Sequence, residues 1–422
     1  MSENASRNRI SIFAYSVFTH PIFAHSALIA ICTLMQPAFV SGQAGTKKSE
    51  AKVSQAEQDP TEERLRVDGS DAFSIVTSPW KMVDIKTGAS FRGLHVLSKT
   101  DIWAGGTNGT IANSIDGGKT WRVRVIQGAE ELDFRDIHAI DDGTIVAMTS
   151  GTPARIYRST TGGSSWRVCY QHTNPKVFLD SISFLDDQHG VAMGDPIDQK
   201  LFLLRTRDSG KTWRVFRKYP KTDPGEAGFA ASGTNMTVVG QKVMVALGAA
   251  EEGQSSQTSR VMFSGDEGDT WKVSSVPIPR NPSAGIFSIC FANEKDGVAV
   301  GGDYKQPELL TGNYAVTRNG GVSWSTPSPR VPPTGFRSCV AVWMNGREVN
   351  FVAVGPNGTD VSTDLGNKWH RISNKGFNSI DFTEDGRHGW AVGPDGKIAK
   401  WLGIPRSRPG QSLPVNRSRT QR

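Results

Sequence analysis

Cysteine is scarce, with four residues (Cys32, Cys169, Cys290, Cys339) among 422. None sits in a Cys-x-x-Cys or Cys-x-x-Cys-His arrangement, so zinc-ribbon, thioredoxin-like and haem-attachment chemistry lack their ligands. Cys290 and Cys339 each follow a phenylalanine by three residues, and with Cys169 they read as small hydrophobes of a core. No metal site and no cofactor is expected. A Gly-x-Gly-x-x-Gly fingerprint behind a strand is also missing. Residues 105–109, Gly-Gly-Thr-Asn-Gly, suit a hairpin turn, which leaves dinucleotide redox chemistry without support. Helix-type periodicity is sparse, while 45 glycines and 11 tryptophans favour an all-β protein.

Long apolar runs are confined to the N-terminus. Arg7 and Arg9 precede an apolar stretch that is densest over residues 27–40, followed by small residues up to 44; residues 1–44 are expected to be an export signal or a retained N-terminal anchor. The protein is therefore expected to be exported, periplasmic or extracellular, and to touch a membrane only through that segment if it is kept. Residues 45–72 are polar with mixed charge, the composition of a disordered linker. Acid is missing from the tail, 403–422, where Arg406, Arg408, Arg417, Arg419 and Arg422 supply five of the formal +7 charges. A body so close to neutral gives no reason to expect a nucleic-acid partner, which calls for a basic stripe on a structured face.

The remainder, 73–402, is written in repeats. Residues 114–121 read Ser-Ile-Asp-Gly-Gly-Lys-Thr-Trp, and the pattern returns at 159–166, 206–213, 264–271, 317–324 and 362–369, always with Ser or Thr first, Gly fifth and Trp last. The third position holds Asp116, Asp208, Asp266 and Asp364, with Thr161 and Asn319 standing in for it. This is the chemistry of a tight turn. A short side chain accepts backbone N–H bonds, glycine supplies positive φ, and tryptophan opens the next strand. These third residues are read as structural. A phenylalanine opens each unit (Phe91, Phe134, Phe178, Phe229, Phe287, Phe336, Phe377) at intervals of 43, 44, 51, 58, 49 and 41 residues. Four short strands per period make a propeller blade. Seven phenylalanines against six boxes, with Trp80-Lys-Met-Val resembling a fourth strand that has no box before it, predict a seven-bladed β-propeller of four-stranded blades, closed by the N-terminal strand. A monomer is expected.

The boxes resemble the Asp-box, or bacterial neuraminidase, repeat of sialidases, sortilin-type receptors and the photosystem II stability and assembly factors. The Phe-Arg openings (Phe91-Arg92, Phe134-Arg135, Phe336-Arg337) and the Gly-x-Ala-Val-Gly second strands are most similar to the last of these families. That resemblance implies an exported, non-catalytic scaffold that binds a protein, with arginines on one face of the propeller taking part. Sialidase chemistry is not expected, since Phe-Arg-Ile-Pro is missing, residues 278–280 run Ile-Pro-Arg, and no tyrosine follows Tyr314.

All the long insertions fall in the loops opposite the boxes, where recognition is expected. Arg92, Arg135 and Arg337 at strand starts would suit a protein carboxylate or another anionic ligand by forked hydrogen bonds, or would instead pair with Asp136 or Asp180 and tie blades together. Asp195, Asp198, Glu226, Asp303 and Tyr304 lie in the elaborate loops. They are ligand-binding candidates, and the carboxylates among them keep a carbohydrate-active enzyme or lectin open as the alternative.

Overall fold

The computed structural model describes residues 78–250 and 258–404; the expected signal or anchor, the linker and the basic tail from residue 405 onward lie outside the described residues. Within them, 27 strands form seven antiparallel sheets, as the repeat pattern predicts. Blade 1 runs from its inner strand Phe91–Val96 through Ile102–Gly106 and Thr110–Ser114 to the outer strand Arg122–Val125. Middle strands such as Ile145–Ser150 are buried along their whole length, whereas the outer Arg122–Val125 is mostly exposed. Each sheet is covered on both faces by its neighbours, so only the disc's outer edge alternates with solvent. The hydrophobic core is consequently divided among the interfaces between blades. The three cysteines of this region pack into those clusters as free thiols.

The ring closes as the count of landmarks requires. Trp80–Val83 pairs antiparallel with Ile398–Trp401, Trp80 opposite Trp401, and completes the blade whose inner strand is Ser379–Phe382. The Trp80 ring lies 4.8 Å from Phe377 and 5.0 Å from Trp401, and its indole N–H donates to Thr359 Oγ1 at 3.0 Å. Two places depart from the repeat. Blade 5 keeps three strands and only one bridge, Val316 to Ser325, where a fourth would run. Pro327 and Pro329 come directly after it and have no N–H to extend the ladder. In blade 4 the inner strand is Met236–Val239, seven residues beyond Phe229, so the fourth landmark opens an insertion and not a strand.

The box turns explain their own composition. Ser114 Oγ accepts the N–H of Gly118 at 2.9 Å, while Asp116 accepts those of Lys119 and Thr120, each at 2.9 Å. Asn319 takes the N–H of Ser323 and Thr161 that of Ser165 in the same way. Gly118 has φ +82°, and a methyl group there would run into the Trp390 ring of the preceding blade; both the turn and the interface require glycine. Because Asp208 accepts the Thr212 N–H at 2.9 Å and its hydroxyl at 2.7 Å, Asp208→Ala should cost about 1–2 kcal/mol, the value of a lost cap. Urea unfolding checks this, and ligand binding should survive.

Inner strands are also stitched to one another. Asp136 accepts the N–H of Ile182 in the next blade at 2.8 Å, Ser288 that of Val340 at 3.0 Å, and Asp381 that of Val96 at 2.7 Å across the closure. Burial, with Asp381 nearby, pushes the Asp136 carboxyl up, and burial takes Asp381 to about 7.

Candidate functional site

The insertion in blade 4 defines the loop face. Its residues 229–235, Phe-Ala-Ala-Ser-Gly-Thr-Asn, cross the axis of the ring, as their partners show. Ala231 O accepts from Arg92 of blade 1 at 3.4 Å, and Ala230 O from Arg135 of blade 2 at 3.3 Å. Ser232 Oγ donates to Ser338 O of blade 6 at 2.9 Å, and Thr234 Oγ1 donates to Ser288 of blade 5 at 2.7 Å. Ser379 of blade 7 donates to Ser232 O at 3.4 Å. Only a segment on the axis can touch inner strands from five blades. The centre of the ring, expected to hold a ligand among the strand-start arginines, is crossed by this plug. Gly233 lies against the Asp136 carboxylate, with no room for a methyl group, a close approach that glycine alone permits. Phe229 stacks on Phe287 at 3.9 Å, and Phe287 meets Phe336 edge-on at 4.6 Å, forming an aromatic floor beneath Ala231 and Tyr304.

The three predicted arginines separate. Arg92, half-buried, and Arg135, which also donates to Ser150 at 3.1 Å and pairs with Asp133 at 3.4 Å, converge on adjacent carbonyls of the plug. Arg337 does not join them and cannot serve as a ligand-binding residue here. Its side chain is 0% exposed and ion-paired with Asp360, also 0% exposed. It donates further to Asn357 at 2.6 Å, to Phe336 O at 2.7 Å and to Thr334 at 2.8 Å. The guanidinium is thereby spent on its own blade, and burial lowers its pKa.

Among the acidic candidates Glu226 is sealed in the same way. Glu226, 0% exposed at its side chain, is clamped by Arg260 and by Arg280, the latter at 2.7 Å, while Asp223 takes Arg280 at 2.6 Å. It ties the loop to blade 4 and has no oxygen left for a substrate. Asp195 is half-buried, accepts the Gly228 N–H at 3.0 Å at the root of the plug, and is pushed by burial to about 7. Asp180, buried beside it, is raised by burial and then by the Asp195 charge. Asp303, buried, caps its own loop through the Lys305 N–H at 2.9 Å. Asp198 stays exposed and pairs with Lys176 at 3.3 Å. Tyr304 is half-buried against Phe287, its phenol raised by burial and by Asp303.

One of the long loops the sequence marks, 304–313, carries an apolar tip that its spacing does not single out. Loop 304–313 presents Leu309 and Leu310, 43% and 50% exposed, at its tip. The tip is held rigidly, with Arg330 donating to Leu310 O at 2.8 Å and Asn357 to Pro307 O at 2.9 Å. Two leucines held outward on an ordered loop form a preorganised apolar contact. Together with Arg92, Tyr304 and Lys305, this loop makes the face a shaped surface of mixed polarity closed at its centre.

A closed seven-bladed Asp-box propeller with its long loops gathered on one face is thus the class that the fold defines. The resemblance to the photosystem II assembly factors holds: residues 73–175 match the family model described as photosynthesis system II assembly factor YCF48. Among solved structures the chain is similar to YCF48 bound to D1 peptide, with 18% identity and a TM-score of 0.54 over 78% of this chain and 100% of that one. It is also similar to YCF48 from Cyanidioschyzon merolae, with 18% identity and a TM-score of 0.52 over 77% and 99%. The Pan2 WD40 domain of Neurospora crassa matches at 13% identity and a TM-score of 0.53 over 79% and 98%. At these identities the likeness to the solved structures is one of fold. No curated protein matches the sequence significantly.

Proposed function

We propose that the chain is an exported, non-catalytic assembly factor that binds a polypeptide carrying an anionic group on its loop face. One observation carries this reading: Arg92 and Arg135, which lie within the stretch matched by the assembly-factor family model, converge from two blades on adjacent carbonyls of the plug. Arg92 reaches a neutral carbonyl at 3.4 Å, a long bond that a ligand carboxylate would replace with a shorter, charge-assisted one. Leu309 and Leu310 would take apolar side chains of the same peptide. Of the four candidate carboxylates from which a glycoside hydrolase would draw its pair, Asp195, Glu226 and Asp303 are engaged in holding loops, which favours binding over turnover. The structure with a D1 peptide belongs to another propeller, and it makes a D1 peptide the first probe to try. Export rests on the composition of residues 1–44.

Fluorescence anisotropy with a labelled D1 peptide tests the reading. Arg92→Ala should weaken binding about ten- to a hundredfold, as losing a hydrogen bond to a charged group of about 1.5–3 kcal/mol does, with the thermal midpoint nearly unchanged. Asp198→Asn, whose carboxylate is exposed and paired with Lys176, should leave affinity intact. Undiminished affinity in a folded Arg92→Ala protein removes this arginine from the site.

A further inference from the structure

The outer edge of blade 3, starting at the end of its box, carries a second surface apart from the plug. Residues 211–221 read Lys-Thr-Trp-Arg-Val-Phe-Arg-Lys-Tyr-Pro-Lys, five cations without an acid. Trp213, Phe216 and Pro220 turn inward and are buried, which fixes the ribbon to the blade. Lys211, Arg214, Arg217, Lys218 and Lys221 are all exposed, and Lys200, bridged to Lys221, adds a sixth cation. Val215 and Tyr219 stand out among them at 51% and 38% exposure, with the Lys200 ammonium 5.6 Å from the Tyr219 ring. Among the described residues none of the six is ion-paired, because the nearby acids are occupied. Asp198 holds Lys176, Asp223 holds Arg260 and Arg280, and Glu267 holds Arg207.

We propose that this edge docks on an anionic membrane surface. Six cations spread along a convex edge match a diffuse layer of negative headgroups, each contributing about 1 kcal/mol near such a surface. A tyrosine set among them is a residue type that settles at the headgroup level, and the exposed Val215 adds apolar surface beside it. A peptide added as a strand does not fit, since Arg214–Val215 is a two-residue strand and Pro220 interrupts the ribbon five residues beyond it. Single-stranded nucleic acid needs a row of stacking rings, and this edge offers Tyr219 alone.

The test is co-sedimentation of the full chain with phosphatidylcholine vesicles, with and without phosphatidylglycerol, over a salt series. Binding should require phosphatidylglycerol and fall steeply with salt. The variant Arg214→Gln, Arg217→Gln, Lys218→Gln, Lys221→Gln should lose about a hundredfold or more, from about 1 kcal/mol per charge. Neutralising the five tail arginines should change much less. If the fourfold variant misfolds, Lys218→Gln alone should still weaken binding about fivefold. Equal binding by parent and folded variants overturns the proposal. So does tighter binding of an acidic peptide or a single-stranded oligonucleotide than of phosphatidylglycerol vesicles by this same edge.

Discussion

A chain that starts at Phe91 is expected to melt far below one that starts at residue 73, and to aggregate as it does so. The truncation removes Trp80–Val83, the outer strand of the closing blade, and bares the edge of Ile398–Trp401, whose unpaired N–H and C=O groups then template association. It also deletes Trp80, 3% exposed and packed on Phe377 and Trp401. Trp80→Ala alone should cost about 3–5 kcal/mol, and the truncation more. Calorimetry on the three proteins decides the matter: equal midpoints for the two chain starts would mean that the ring is not closed by this strand.

The second large effect is expected at the buried ion pairs. Arg337→Ala leaves the Asp360 carboxylate buried without its counter-charge, and Glu226→Ala takes from Arg280, 2% exposed, its buried carboxylate partner. Breaking such a pair from one side costs about 3–5 kcal/mol, because the remaining charge keeps its desolvation penalty. Chemical denaturation of each variant should show that loss. The contrast with Arg92→Ala is the informative part, since all three side chains look alike as candidates in the sequence while only Arg92 is predicted to act on ligand affinity without moving stability. A loss below about 1 kcal/mol for Arg337→Ala, the range of an exposed pair, would contradict its sealed position.

The blade pattern is legible in the sequence because each box answers to two local demands at once. Gly118 must have positive φ and must also leave room for Trp390 of the neighbouring blade; a residue under both constraints recurs visibly. Closure by Trp80–Val83 is legible from the mismatch between seven phenylalanines and six boxes. The site is far less so. Phe336-Arg337 and Phe91-Arg92 are the same dipeptide, yet the first is neutralised by Asp360, two residues before the box serine Ser362, where blades 1 and 2 carry Ala112 and Tyr157. An aspartate at that position is the signal that separates the two arginines. Glu226 cannot be assigned from spacing, since its partners Arg260 and Arg280 are 34 and 54 residues away. Phe229 obeys the landmark rule while opening a plug, because a short insertion of small residues carries no periodicity to mark where it runs. The basic edge of blade 3 is hidden by averaging, since a near-neutral body can still place six cations on one strip.

Hydrogen exchange of the full chain with and without saturating D1 peptide tests the central claim, a ligand face built from the plug and its surrounding loops, most directly. The account predicts that added protection concentrates in residues 229–235, in loop 304–313 and at the start of the strand bearing Arg92. Protection confined to the box turns or the outer strands, or none at saturation, would contradict it.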